Sequence, residues 1–89
     1  FGEIITRVRE ITTRRVDQRL AEYLLRRFAA SADRPPVAEV TQQAIATELG
    51  TAREVVSRRL QELDGIGAVE LRRGRIVLRN RRALHRIIG

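Results

Sequence analysis

Two short stretches with helical apolar spacing meet at a single glycine, and that junction constrains the chain more than any other feature. Ile45, Ala46 and Leu49 share one face before Gly50, and Val56, Leu60 and Leu63 share one after it. Thr41 stands where an N-cap hydroxyl would cover the unpaired amides of a helix opening at Gln42. Gly50 supplies the turn that ends this helix. Thr51-Ala52-Arg53-Glu54 has the T-x-x-E form of a capping box, so a second helix is expected at once, over residues 51–64. Small Ala46 lets the two helices approach closely. Many helical hairpins share parts of this spacing, so the flanking segments must decide among them.

Upstream, Val16, Leu20, Leu24 and Phe28, with Ala21 and Leu25, form a strong apolar stripe. Ile4, Val8 and Ile11 form a weaker one, joined by Ile5, and the phase breaks near Thr12-Thr13. Two helices with a joint there are expected rather than one rod. The first has few local partners and reads as the stub of a dimerisation helix, with Ile4, Ile5, Val8 and Ile11 as its contacts. Residues 31–36 (SADRPP) stop the second helix, and residues 37–40 have the composition of a short strand. Downstream of Gly65-Ile66-Gly67, residues 68–72 and 75–78 read as two strands around Arg73-Gly74. Asn80 caps a last short helix carrying Leu84, Ile87 and Ile88. The order is mainly α with a small β hairpin: a three-helix core plus a wing, the winged helix-turn-helix arrangement, preceded by a partial dimerisation helix. The boundary is expected between residues 1–13 and a domain over 14–89.

Charge points to a partner. The net charge is +7, and all 18 basic residues are arginine. Residues 1–49 carry 8 Arg against 7 acids, whereas residues 50–89 carry 10 against 4, so nearly all the excess lies in the second half. Concentrated positive charge on so small a domain suits a polyanion, most often nucleic acid; a solubility charge is the alternative. Single-strand platforms need exposed aromatic rings. This chain has only Phe1, Tyr23 and Phe28, the last two on an amphipathic helix, so duplex DNA is favoured.

The helix after Gly50 sorts its residues by function. At about 100° per residue from Arg53, Ala52, Val56, Leu60 and Leu63 fall between about 260° and 340°, the buried side. Arg53, Glu54, Ser57 and Arg58 fall between about 0° and 140°, in one polar stripe starting at the helix N-terminus. Arginine bonds guanine O6 and N7 in bidentate fashion, and glutamate accepts from cytosine N4. These four are the candidate base readers. In the competing reading Glu54 only partners Thr51 in the capping box and the arginines form a solvated face. Arg72, Arg73 and Arg75 on the hairpin are placed to neutralise phosphates, which adds affinity and salt dependence without sequence reading.

TQQAIATELGTAREVVSRRLQELDGIGAVELRRGRIVLRNRRAL resembles the C-terminal domain of the Crp/Fnr family of bacterial transcription regulators, and VDQRLAEYLLRRFAA resembles the helix that precedes it there. R-E-x-x-x-R after the glycine turn is the specific part of the likeness. The resemblance implies that Arg53, Glu54 and Arg58 read a GTGA-like half-site of a palindromic operator, with Ser57 contributing to base choice. It implies backbone contacts at Thr41 and Gln43, and a homodimer; Thr51 and Arg59 are further candidates for the backbone. It also implies a separate N-terminal sensor that binds an effector, and a cytoplasmic setting; in relatives the loop matching residues 32–37 can touch RNA polymerase, an ordinary proline-terminated surface loop being the alternative. Two positions depart from the family pattern. Arg59 stands where an apolar residue is usual, its stem able to pack while the guanidinium reaches water or phosphate. Val55 replaces a hydroxyl found in the cyclic-AMP receptor branch.

Other classes are disfavoured. With no cysteine there is no thiolate chemistry and no zinc finger. No Ser/His/acid set or phosphate-binding glycine loop occurs, so neither catalysis nor a resident cofactor is expected. His85 has no second ligand at metal spacing and reads as surface or packing. No apolar run approaches membrane-spanning length. A winged helix used for protein contacts would carry an apolar outer face on its second motif helix, the opposite of what Arg53, Glu54, Ser57 and Arg58 provide. A winged-helix regulator of another family remains open.

Overall fold

The computed structural model describes the backbone of residues 2–89 and the side chains of residues 14–89. A long helix, α1 (Gly2–Ala29), leads to a short strand, β1 (Val37–Ala38). Helices α2 (Gln42–Leu49) and α3 (Arg53–Gly65) follow, then the hairpin β2 (Val69–Arg72) and β3 (Arg75–Leu78), and finally α4 (Arg81–Ile88). The sheet has the order β1-β3-β2, antiparallel throughout. Val37 faces Val77 in its register, while Val69 faces Leu78 at the base of the hairpin and Arg72 faces Arg75 at its tip. The three-helix core with a wing expected from the apolar spacing is the architecture found.

One hydrophobic core joins all the layers. Leu20, Leu24 and Phe28 of α1, Ile45 of α2, Val56 and Leu60 of α3, Val69 of β2 and Leu84 of α4 are its largest fully buried side chains. Each contributes on the order of 1.5–3 kcal/mol by leaving water. α1 packs on α4, β1 and α2, and so forms the back of the domain.

Two local expectations are corrected. No joint interrupts α1 near Thr12-Thr13, because the helix runs unbroken from Gly2 to Ala29. The change of phase between Ile11 and Val16 turns the apolar stripe to another face without demanding a break, since neither Gly nor Pro intervenes. The expected dimer contacts Ile4, Ile5, Val8 and Ile11 lie outside the described side chains. The second correction concerns Thr51, which does not cap α3. Gly50 adopts φ 67° and donates to Thr47, while the Thr51 N–H donates to the Ala46 carbonyl at 3.0 Å. This paired closure of α2 is a Schellman motif. Thr51 is thereby committed to the preceding helix, and Ala52 (φ −77°, ψ 147°) becomes the N-cap of α3, with no side chain bonded to the helix start. The other expected caps are present. Thr41 Oγ1 accepts from the Ala44 N–H at 3.0 Å, and Asn80 Oδ1 accepts from the Ala83 N–H at 3.3 Å.

Candidate nucleic-acid interface

α3 carries the polar stripe outward because Val56, Leu60 and Leu63 are buried on its other side. Arg53, Glu54 and Arg58 are exposed and Ser57 is half-buried. All four line one shallow groove, together with Gln42 and Gln61. Ala52 leaves the first turn of α3 without a side-chain cap, so the helix start is open to an anion.

A second groove adjoins the first. Thr41, Gln42, Gln43 and Arg53 line it from the helical hairpin, and Arg72, Arg73, Gly74 and Arg75 line it from the wing. Arg53 borders both grooves. The wing tip therefore lies beside the N-terminal end of α3. Gly74 makes the tip with φ 69°, a conformation that favours glycine. Ala68 to Leu63 and Leu71 to Asp64 hydrogen bonds, both 2.9 Å, fasten the base of the hairpin to the C-terminal end of α3.

The wing arginines are not equivalent. Arg72 Nε pairs with Glu70 at 3.1 Å, and Arg75 Nε lies 3.8 Å from Glu39. Both side chains remain about 60% exposed, so solvent screens these pairs and either guanidinium is free to exchange partners. Hydrogen bonds from Arg79 and Arg72 hold the Glu70 carboxyl below the usual range. Among the described residues, Arg53, Arg58 and Arg73 enter no ion pair.

Arg59 lies elsewhere. Its guanidinium turns to the back of α3, with Nη1 2.9 Å from Glu62 and Nε 3.5 Å from Asp17 of α1. Thr41, Gln43 and Thr51 remain near the start of the two motif helices, Thr41 and Gln43 on the second groove. Thr51 is half-buried, its amide used in the turn. Gln42 and Gln61 escaped the sequence reading. Gln61 had a signal, since it falls at about 80° on the α3 wheel, midway along the polar stripe. Gln42 had none, because only the packing of α2 against α3 brings it beside Arg53.

The family profile of the Crp-like helix-turn-helix domain matches residues 18–87. The chain belongs to this family. As a Crp-like domain it superposes on solved regulators of the Crp/Fnr type. Catabolite activator protein from Thermus thermophilus is 26% identical with a TM-score of 0.83, over 98% of this chain and 40% of that one. FixK2 from Bradyrhizobium japonicum is 30% identical with a TM-score of 0.74, over 83% of this chain and 38% of that one. DNR from Pseudomonas aeruginosa is 22% identical with a TM-score of 0.84, over 97% of this chain and 39% of that one, a likeness of fold. This Crp-like domain thus spans about two fifths of the length of these solved relatives. No curated protein matches its sequence. No helix is long and apolar enough to cross a membrane among the described residues, which also hold no group of His, Asp and Glu fit for a metal ion.

Proposed function

We propose that this domain binds double-stranded DNA by sequence, as the DNA-binding part of a bacterial transcription regulator of the Crp/Fnr type. α3 enters the major groove by its N-terminal half. Arg53 and Arg58 bond guanines, Glu54 accepts from cytosine N4, and Ser57 lets the helix sit deep, together reading a GTGA-like half-site. Thr41, Gln43 and Thr51 grip the backbone beside the motif, and Arg72, Arg73 and Arg75 neutralise phosphates from the wing. Arg59 has no part in this, its charge being engaged behind the helix. The observation that carries the reading is the convergence of two grooves on Arg53, one lined by the α3 stripe and the other by the wing. Two such domains, joined in a homodimer through residues 1–13 of α1, would face the half-sites of a palindromic operator. RNA polymerase, met through residues 32–37, and a cytoplasmic setting belong to the same reading.

Fluorescence anisotropy on a GTGA palindrome and a scrambled duplex, over several salt concentrations, tests it. The expected result is tighter binding to the palindrome, with the preference lost in Arg53→Ala. Equal binding that merely fades with salt would overturn sequence reading, and no binding to either duplex would overturn DNA as the partner.

A further inference from the structure

Arg59 is the one α3 arginine that faces inward. It falls at about 240° on the wheel, nearly opposite the centre of the polar stripe. Its side chain is only 20% exposed, and its Nε is sealed from solvent without a hydrogen bond of its own. The Asp17 carboxylate, 3.5 Å away, compensates that buried nitrogen. Glu62, one turn along α3, takes Nη1 through both carboxylate oxygens, at 2.9 and 3.2 Å. Leu20, Leu63, Ile66 and Ile87 line an apolar groove beside this cluster, where α1, α3 and α4 meet.

Stability does not account for the arrangement. Burial pushes the Asp17 carboxyl above its usual value even though Arg59 draws it down, and Glu62 adds to the rise. These charges are only partly withdrawn from water, the Arg59 and Asp17 side chains being 20% and 32% exposed, so the pair adds little net stability. What the ion pair adds over apolar contact is a specific point of attachment. Glu62 holds the guanidinium by hydrogen bonds within α3, and the Asp17 carboxylate, a charge contact without a hydrogen bond, ties it to α1.

We infer that Arg59 and Asp17 form a positioning pair that sets the direction of α3 against α1, and with it the angle at which Arg53, Glu54, Ser57 and Arg58 meet the base edges. The specificity part of this inference rests on the DNA-binding reading; the orientation part does not. Base readout depends on bidentate geometry, so a small roll of α3 degrades discrimination while leaving phosphate contacts largely intact.

The test compares the wild-type 89-residue chain with the apolar pair Asp17→Leu/Arg59→Met, and with the milder Asp17→Asn. Residual dipolar couplings report the angle between α1 and α3, and anisotropy reports binding to the palindrome and the scrambled duplex. In the apolar pair, α3 should reorient and the preference for the palindrome should fall about 3- to 10-fold. Thermal stability, binding to the scrambled duplex and the salt slope should be unchanged. Asp17→Asn should move the same readouts in the same direction by less. An unchanged α3 direction in both variants would overturn the inference. So would an equal loss on both duplexes with a shallower salt slope, which would make Arg59 a phosphate contact. Should the wild-type chain show no preference for the palindrome, the DNA reading fails, and the couplings alone still decide whether the pair orients α3.

Discussion

The Asp64 carboxylate accepts a hydrogen bond from the Leu71 N–H at 2.9 Å, joining the last turn of α3 to the second half of β2. This side chain holds the wing against α3. Asp64→Ala should lower stability by about 1 kcal/mol, the net worth of one such bond. It should also speed hydrogen exchange at Leu71 well beyond that at Val77. Thermal unfolding and exchange mass spectrometry read the two effects, and equal protection at both sites would contradict the role.

Gly50 is the backbone position on which the helical hairpin depends. At φ 67° an added side chain meets no neighbouring atom within 4 Å, so strain alone sets the cost of replacing it. Gly50→Ala should destabilise the domain by about 1–2 kcal/mol, a fall of roughly 4–8 °C in Tm for each kcal/mol at this size. Calorimetry checks it.

The two groups of arginine separate by what they lose. Arg53→Ala or Arg58→Ala should cost about 1–3 kcal/mol on the operator and flatten discrimination at one base pair. Arg73→Ala should weaken all duplexes alike and lower the salt slope by about 1. Titrations on single-substituted operators distinguish the patterns.

Two carboxylates give opposite pH dependence. Glu70 titrates below its ordinary 4.5 because Arg79 and Arg72 hydrogen-bond it, so its contribution to stability is complete above that value and is lost as pH falls through the folded pKa. Wild type should exceed Glu70→Gln in stability at neutral pH, with the gap closing below pH 4.5. Asp17 titrates above its ordinary 3.8, chiefly through burial, so its ionisation opposes folding as pH rises through the interval above 3.8. Carboxyl carbon shifts followed by NMR should place the two midpoints on opposite sides of their ordinary values.

Much of this was legible in the chain because it is written in local periodicity. Val56, Leu60 and Leu63 alone fix which side of α3 is buried, and hence which residues face outward. Thr41 and Asn80 cap as their side chains require, and Gly50 takes the positive φ that its lack of one permits. Thr51 misled because the residue pattern for a capping box does not record that its own amide already closes α2. Arg59 and Asp17 are 42 residues apart by number, and no spacing rule links them; only the tertiary fold brings them together. The pairing of Arg72 with Glu70 was available from strand alternation, which puts residues two apart on one face.

The closure at Gly50 and Thr51 makes the turn a counter of residues. No position between Leu49 and Arg53 is spare, since Gly50 reverses the chain, Thr51 seals α2, and Ala52 opens α3. Val56 meanwhile anchors the rotation of α3 in the core. A single residue inserted after Thr51 therefore meets two incompatible demands. Either Val56 keeps its seat and the start of α3 unwinds, or the helix stays whole and turns its lettering by about 100°. The length of this turn thus decides which side of α3 faces outward.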